Sequence, residues 1–257
     1  MNILFTVCGR AGSKGIKGKN FRDFLGYPLL YYTFAAILLY REKHTEYHID
    51  IALNTDSKEM IAMIEGKERI NAIIVPRKEE LAGDQAAKKP VIADTLAEAE
   101  GMKSIKYDLV VDCDITSPLR TVEDIEAIVD KAGTFEYDVV FSVVNARRNP
   151  YFNMVKENPD GTVSLVVPSE YTARQQCPAI YDMNASIYAY KPDFLKTDAM
   201  ILQGKCGITH MVDTAVVDLD CEEDFELMQV IAKYLMEEKR DKYLRVLFSQ
   251  VTELASL

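Results

Sequence analysis

Ile3-Leu-Phe-Thr-Val-Cys8 runs directly into Gly9-Arg-Ala-Gly-Ser-Lys-Gly-Ile-Lys-Gly-Lys-Asn-Phe-Arg22, and this junction decides the fold. A strand-length apolar run ends in a loop with five basic residues, Arg10, Lys14, Lys17, Lys19 and Arg22, and no acidic residue before Asp23. Glycines at 9, 12, 15 and 18 let backbone N–H groups approach an anion, and the cations neutralise it. The end of the first strand is also where open α/β sheets bind ligands. The spacing is neither GxGxxG nor GxxxxGKS/T, so neither a dinucleotide fold nor a P-loop ATPase is supported. The pattern points to a triphosphate or nucleotide.

Outward from this junction, strand-length and helix-period segments alternate. The spacing predicts a helix over Pro28–Arg41, a strand over Ile49–Asn54 and a helix over Ser57–Glu65 capped by Ser57. A strand at Ile70–Val75, a helix around Pro90–Ser104 and a strand at Tyr107–Cys113 follow. A helix over Thr121–Ala132, opened by the capping box Thr121-Val-Glu-Asp124, and a strand at Asp138–Val144 complete the series. Short buried strands alternating with helices imply an α/β fold of three layers around a mostly parallel twisted sheet.

Beyond Asn145 the pattern changes. Residues 146–190 carry Pro150, Pro159, Pro168 and Pro178, with alternating segments at Thr162–Val167 and Ala185–Tyr190. This is a small β-rich excursion from one domain spanning 1–257. The chain returns at Gly207–Val212 and Ala215–Leu219, and a long helix runs from about Cys221 to Lys239. The tail, about 240–257, has helical spacing at Leu244, Leu247, Val251 and Leu254.

The 257 residues are 48% hydrophobic and 27% charged, ordinary for a globular protein, and exclude a disordered or fibrous chain. Thirty basic against 40 acidic residues give a net charge of −10, which argues against general nucleic-acid binding and against an anionic membrane surface. Five cysteines without a CxxC pair argue against a disulfide framework or zinc site. The uncharged stretch Tyr27–Tyr40 is 14 residues, short for a membrane span and suited to a buried helix. Met1-Asn2 lacks a basic n-region, so no signal peptide is read and the expected location is cytoplasmic.

Two Asp-x-Asp pairs, Asp112-Cys-Asp114 and Asp218-Leu-Asp220, each end an apolar strand candidate. Strand periodicity puts both carboxylates of a pair on one face, at the ligand edge of the sheet. Such oxygens suit Mg²⁺, which takes one or two carboxylates plus substrate phosphates. With the basic loop, they point to metal-assisted phosphoryl or nucleotidyl transfer. His44, His48 and His210 have no partner at metal spacing.

The stretch Gly9–Asn20 resembles the R-x-G-S-K-G-(x)n-K-N loop of the cytidylyltransferases that make CMP-sialic acids. The resemblance continues through Asn54-Thr-Asp-Ser57, Arg77–Asp84, Thr116-Ser-Pro-Leu-Arg120, Ala173-Arg-Gln-Gln176, Asn184-Ala-Ser-Ile-Tyr188 and Val217-Asp-Leu-Asp220. Two segments, Ala146–Asn153 and Tyr181–Ser186, are similar to the branch that activates legionaminic acid, a bacterial sialic-acid relative.

The resemblance implies a nucleotide-diphospho-sugar transferase-like fold and transfer of CMP from CTP to a nonulosonic acid for surface glycan synthesis, with release of pyrophosphate. It implies that Arg10, Gly12, Ser13, Lys14 and Lys19 hold the CTP phosphates, with Asn20 and Arg77 placing the nucleotide; Lys14, Arg10 and Asp220 carry the catalytic electrostatics. Asp218 and Asp220, joined by Asp114, would hold Mg²⁺ or Mn²⁺. Arg174, Gln175, Asn184 and Tyr188 would line the sugar-acid pocket. It also implies a homodimer whose 146–190 excursion reaches over the neighbouring site. One departure stands out: where many sialate enzymes read L-Q-P-T-S-P-L-R, this chain has Asp114 in place of the glutamine. The rival readings are a CMP-Kdo synthetase, a non-catalytic CTP-binding protein and a glycosyltransferase.

Overall fold

The computed structural model describes residues 1–12, 15–83, 86–212, 219 and 221–256. Strand β1 (Asn2–Gly9) leads through the basic loop to a short hairpin, β2 (Asp23–Phe24) and β3 (Tyr27–Pro28), and then to helix α1 (Leu29–Lys43). The alternation continues as β4 (His48–Thr55), α2 (Lys58–Ile64), β5 (Ile73–Pro76), α3 (Lys88–Lys103), β6 (Leu109–Cys113), α4 (Val122–Ala132) and β7 (Val139–Asn145). A second hairpin, β8 (Val155–Glu157) and β9 (Val163–Leu165), precedes β10 (Tyr181–Tyr190), α5 (Pro192–Leu195), β11 (Cys206–His210), α6 (Glu222–Lys233) and α7 (Lys242–Ser256).

The large sheet has the order β11-β7-β10-β6-β1-β4-β5. β1 pairs in parallel with both β4 and β6, and β10 is antiparallel to both of its neighbours, β6 and β7. The chain leaves β1 toward β4 and β5, then returns to place β6 on the other side. The switch point therefore opens between the carboxyl ends of β1 and β6, where such sheets bind ligands.

Both faces are covered, as the unbroken apolar runs of β1 and β6 require. One layer packs α1 and α4 against the sheet through Phe5, Leu53 and Val111, and α7 packs against α1, with Leu247 in the same core and Phe248 edge-on to Tyr32. The other packs α3 against Leu4, Ala52 and Val110 through Ile92 and Leu96. Every residue from Leu29 to Leu38 is buried, so the uncharged stretch is a helix inside the protein. Among the described residues no helix is long and apolar enough to cross a membrane. All five cysteines are free.

Local signals set the helix starts. Ser57 Oγ accepts the Met60 N–H at 3.2 Å, and Thr121 and Asp124 form the reciprocal capping box at the head of α4. Two sequence boundaries move, and a third expectation lies outside the described residues. The excursion closes at residue 180, because β10 belongs to the central sheet. The long helix stops at Lys233 and continues as a π turn over Tyr234–Glu238. The strand expected over Ala215–Leu219 falls mostly on residues 215–218, outside the described residues.

Candidate nucleotide site

β1 ends at Gly9, where a side chain has no room: a Cβ there would lie 2.6 Å from Met60 Cε and 2.7 Å from Ile115 Cδ1. That close approach lets the chain turn at once into the basic loop. Asn20 Nδ2 donates to Arg10 O at 3.1 Å, and Ala11 N–H donates to Asp56 Oδ1 at 2.7 Å. Lys19 Nζ donates to Leu219 O at 2.6 Å, so the loop is tied to the middle residue of the second Asp-x-Asp segment. Arg22 pairs with Glu222 and lies over the Phe225 ring, so this loop cation clamps α6.

These contacts outline a cavity of about 300 Å³ at the switch point, walled by Arg10, Lys19, Asn20, Arg77, Lys88 and Asp114 among others. Gly12 borders it as well. Arg77 is aimed by the end of β4: its Nε donates to Asn54 Oδ1 at 2.8 Å and one Nη to Asn54 O at 3.1 Å. A larger groove of about 970 Å³ runs between α3 and residues 195–203. Its cations are already engaged, Lys89 by Thr197 and Ala199, Lys78 by Asp94 and Lys196 by Asp193, while Lys88 borders both cavities and pairs with Asp112 and Asp114. The smaller cavity is the one that gathers Arg10, Lys19 and Arg77 with the Lys88–Asp114 pair.

Asp112 and Asp114 do share one strand face. Lys88 Nζ lies 2.7 Å from Asp112 Oδ2 and 2.6 Å from Asp114 Oδ2. Thr6 Oγ1 donates to Asp112 Oδ1 at 2.8 Å. Asp114 Oδ1 accepts from Thr116 N–H and Oγ1 at 2.9 and 2.8 Å. Burial alone would push the Asp114 carboxyl up. The Lys88 charge and these hydrogen bonds outweigh burial and hold it well below the usual carboxylate range. Burial likewise works against the Lys88 ammonium, and the two carboxylates reverse the effect and raise it well above the ordinary lysine value. Cys8, at the same wall, is pushed up by burial and then by Asp112, which rules it out as a thiolate nucleophile at neutral pH.

The sequence-derived residues thus divide. Arg10, Gly12, Lys19, Asn20, Arg77 and Asp114 come together at the cavity. Ser13, Lys14, Asp218 and Asp220 lie outside the described residues. Arg174 and Gln175 are exposed in the excursion, where one Arg174 Nη donates to Ala146 O at 2.7 Å. Asn184 is buried, its Oδ1 taken by Ser142 Oγ at 2.6 Å and its Nδ2 facing Met211 Sδ, so its amide is spent inside the fold. Tyr188 stacks against Tyr190 on β10. Neither Asn184 nor Tyr188 borders the cavity.

The donor chemistry sets a limit on metal binding. The Asp112 and Asp114 carboxylates are hard oxygen ligands of the kind magnesium takes. Three of their four oxygens already accept a hydrogen bond from the protein, and the Lys88 ammonium sits between the two carboxylates, 2.7 Å from the fourth, Asp112 Oδ2. This pair does not fit a divalent ion. The remaining sequence-derived ligands are Asp218 and Asp220.

Lys88 is the residue that motif reading misses, since Lys88-Lys89 resembles a solvated helix start. The available signal was electrostatic: lysines in a first turn oppose the helix dipole and need a local reason to be there.

An anion cavity at the switch point of a three-layer α/β sheet, with a glycine-rich basic loop and an acidic pair, defines a nucleotide-handling enzyme fold. The chain belongs to the cytidylyltransferase family, whose model matches residues 4–245. It is 35% identical to a post-translational flagellin modification protein B of Campylobacter coli, over 90% of this chain and 95% of that protein. It is 32% identical to a CMP-N,N'-diacetyllegionaminic acid synthase of Campylobacter jejuni, over 89% of this chain and 94% of that protein. A solved CMP-2-keto-3-deoxy-manno-octonic acid synthetase complexed with CTP superposes with a TM-score of 0.60, covering 93% of this chain and 100% of that one. At 15% identity that likeness shows the fold.

Proposed function

We propose that this enzyme transfers CMP from CTP to a nonulosonic acid of the legionaminic or sialic type, forming the CMP-sugar and releasing pyrophosphate. The observation that carries the reading is the cavity between β1 and β6, where Arg10, Lys19 and Arg77 converge within a family of cytidylyltransferases. The legionaminate synthase likeness over most of both chains favours a nine-carbon acid.

The sugar's anomeric hydroxyl gives up its proton to water, its oxygen attacks the α-phosphorus to form the new C–O–P bond, and the bond from the α-phosphorus to the bridging oxygen breaks in line with it, that oxygen leaving with pyrophosphate. Such a transfer asks the protein mainly for positioning and charge neutralisation. Arg10, Lys19 and, from the loop, Lys14 neutralise the triphosphate; Gly12 and Ser13 offer backbone donors; Asn20 braces the loop; Arg77, fixed on Asn54, orients the nucleotide. Asp218 and Asp220 would hold Mg²⁺, which would supply further neutralisation of the phosphates. Asp114 is held ionised far too low to serve as a general base near neutral pH, where a matched base is most effective.

The sugar carboxylate needs a cation, and Arg174 with Gln175 beside it serves that need from the excursion. Within one chain these residues stand away from the cavity. The excursion also exposes Met154, Val155 and Val163, at 41%, 61% and 66%. A homodimer that covers this apolar patch and lays the excursion over its neighbour's site accounts for both facts. A CTP-dependent reaction of this kind would run in the cytoplasm, where CTP is made.

The test is pyrophosphate release with CTP and Mg²⁺ in the presence of legionaminic acid, N-acetylneuraminic acid, Kdo or no sugar. Release strongly dependent on one nine-carbon acid is the expected result. Equal release without sugar, or release only with Kdo, contradicts the reading.

A further inference from the structure

Helix α3 begins against local rules. Ala87 provides no side-chain cap, the first turn has no acidic residue, and Lys88 and Lys89 stand at its positive end. Lys89 is explained by the backbone it holds, donating to Ala199 O at 2.9 Å. Lys88 is explained by the carboxylate pair alone, with a third of its side chain exposed on the cavity side.

The pair needs that cation at all times. Asp112 is completely buried, and an ionised carboxylate there requires a counter-charge inside the protein. An ion that arrives with the nucleotide and leaves with pyrophosphate cannot fill that need in the empty enzyme, whereas a side-chain ammonium can. Thr6 donates to Asp112 Oδ1, Thr116 to Asp114 Oδ1 and Lys88 to Asp114 Oδ2, while Asp112 Oδ2, which accepts no hydrogen bond among the described residues, has the Lys88 ammonium 2.7 Å away as its counter-charge. A divalent ion on the same oxygens would have to displace the ammonium or share its space against like-charge repulsion.

We propose that Lys88 is the resident cation of the Asp112–Asp114 pair: the pair takes no divalent ion, and the ammonium is a positioning residue that fixes the Asp114 carboxylate at the wall of the nucleotide cavity. The consequence for turnover rests on reading the cavity as a CTP site; the occupancy of the pair does not. This pair differs in role from Asp218 and Asp220, although the sequence writes both as Asp-x-Asp.

The experiment is Mn²⁺ binding to the full-length, nucleotide-free protein, followed by the free-ion electron paramagnetic resonance signal and by calorimetry. Wild type and Asp114→Asn are expected to bind Mn²⁺ with affinities within twofold of each other. Lys88→Met is expected to gain one additional Mn²⁺, Lys88→Met/Asp114→Asn to lose it again, and Lys88→Arg, which keeps the cation, to gain none. A tenfold or greater weakening by Asp114→Asn in the wild-type background overturns the proposal, as does a folded Lys88→Met that gains no ion. If Lys88→Met does not fold, the wild-type and Asp114→Asn comparison decides alone. None of these readouts uses turnover, so a failure of the CTP reading and a failure of this one are distinguishable.

Discussion

Two cations reach Asp114 from opposite sides, and they are used differently. Lys88 meets its carboxylate from the cavity and is neutralised by charge. Arg120 meets its backbone from the interior, 1% exposed, with one Nη donating to Asp114 O at 2.6 Å and to Ser186 O at 2.7 Å. Its Nε donates to Ser186 Oγ at 3.2 Å, and it makes no ion pair among the described residues. A planar guanidinium can spread its charge over several carbonyl oxygens, which a compact ammonium does less well. Arg120 thus belongs to the frame and Lys88 to the site.

The sharpest way to break this contrast is to remove Arg120. Arg120→Ala leaves the Asp114 and Ser186 carbonyls short of donors and is expected to cost about 3 kcal/mol of stability. Urea unfolding checks it; a loss under about 1 kcal/mol would mean that the frame does not depend on this side chain.

Lys88→Met comes next. It exposes two uncompensated carboxylates to a triphosphate, and kcat/KM for CTP should fall about a hundredfold, equivalent to about 2.7 kcal/mol. Lys88→Arg should recover much of that loss. Steady-state kinetics on folded protein decides between them, and unchanged kcat/KM in Lys88→Met would place Lys88 in the frame beside Arg120.

A smaller effect sharpens the Arg120 side. Ser186 follows Ala185, which has a φ of +52° where β10 shifts register between Met183 and Tyr188. An alanine in that left-handed region is strained, so Ala185→Gly should be neutral to stabilising by up to about 1 kcal/mol. Destabilisation in thermal melts would mean that the alanine methyl packs better than its backbone suggests.

The smallest effect concerns a surface counterpart of the Lys88 cluster. His44 approaches Glu126 at 2.6 Å and Glu46 at 3.1 Å. Burial lowers its pKa, and the two carboxylates outweigh burial and raise it above 6.5. With the folded value raised, its contribution is complete below the unfolded value and is lost as pH rises through the folded one. His44→Gln should therefore destabilise below about pH 6.5, by less than about 1 kcal/mol, and converge with wild type at higher pH. A difference that grows with pH would reverse the sign.

The strands and the basic loop were legible because their signals are local. An apolar run ending in glycines and cations needs no partner to be read, and Thr121-Val-Glu-Asp124 announces its helix by itself. Arg10 was legible with that loop, whereas Arg77, just beyond β5, was named only through the matched Arg77–Asp84 motif. The pairing of Lys88 with Asp112 and Asp114 was not legible, because 24 residues separate Lys88 from Asp112 and only the sheet order brings α3 beside the end of β6. Asn184 misled in the opposite direction. Its place in a matched motif suggested a ligand contact, whereas the β10 irregularity turns its amide inward to Ser142. The excursion's limit moved because Ala185–Tyr190 reads as an isolated alternating strand until β6 and β7 are seen to flank β10.

The most direct test of the central claim, that the cavity between β1 and β6 is a CTP site, is calorimetric titration of wild type and Arg77→Met with CTP, UTP, ATP and GTP. Tightest binding of CTP by wild type, with at least a tenfold loss in a folded Arg77→Met, is the predicted result. Equal affinity for all four nucleotides, or CTP binding unchanged by the substitution, would contradict it.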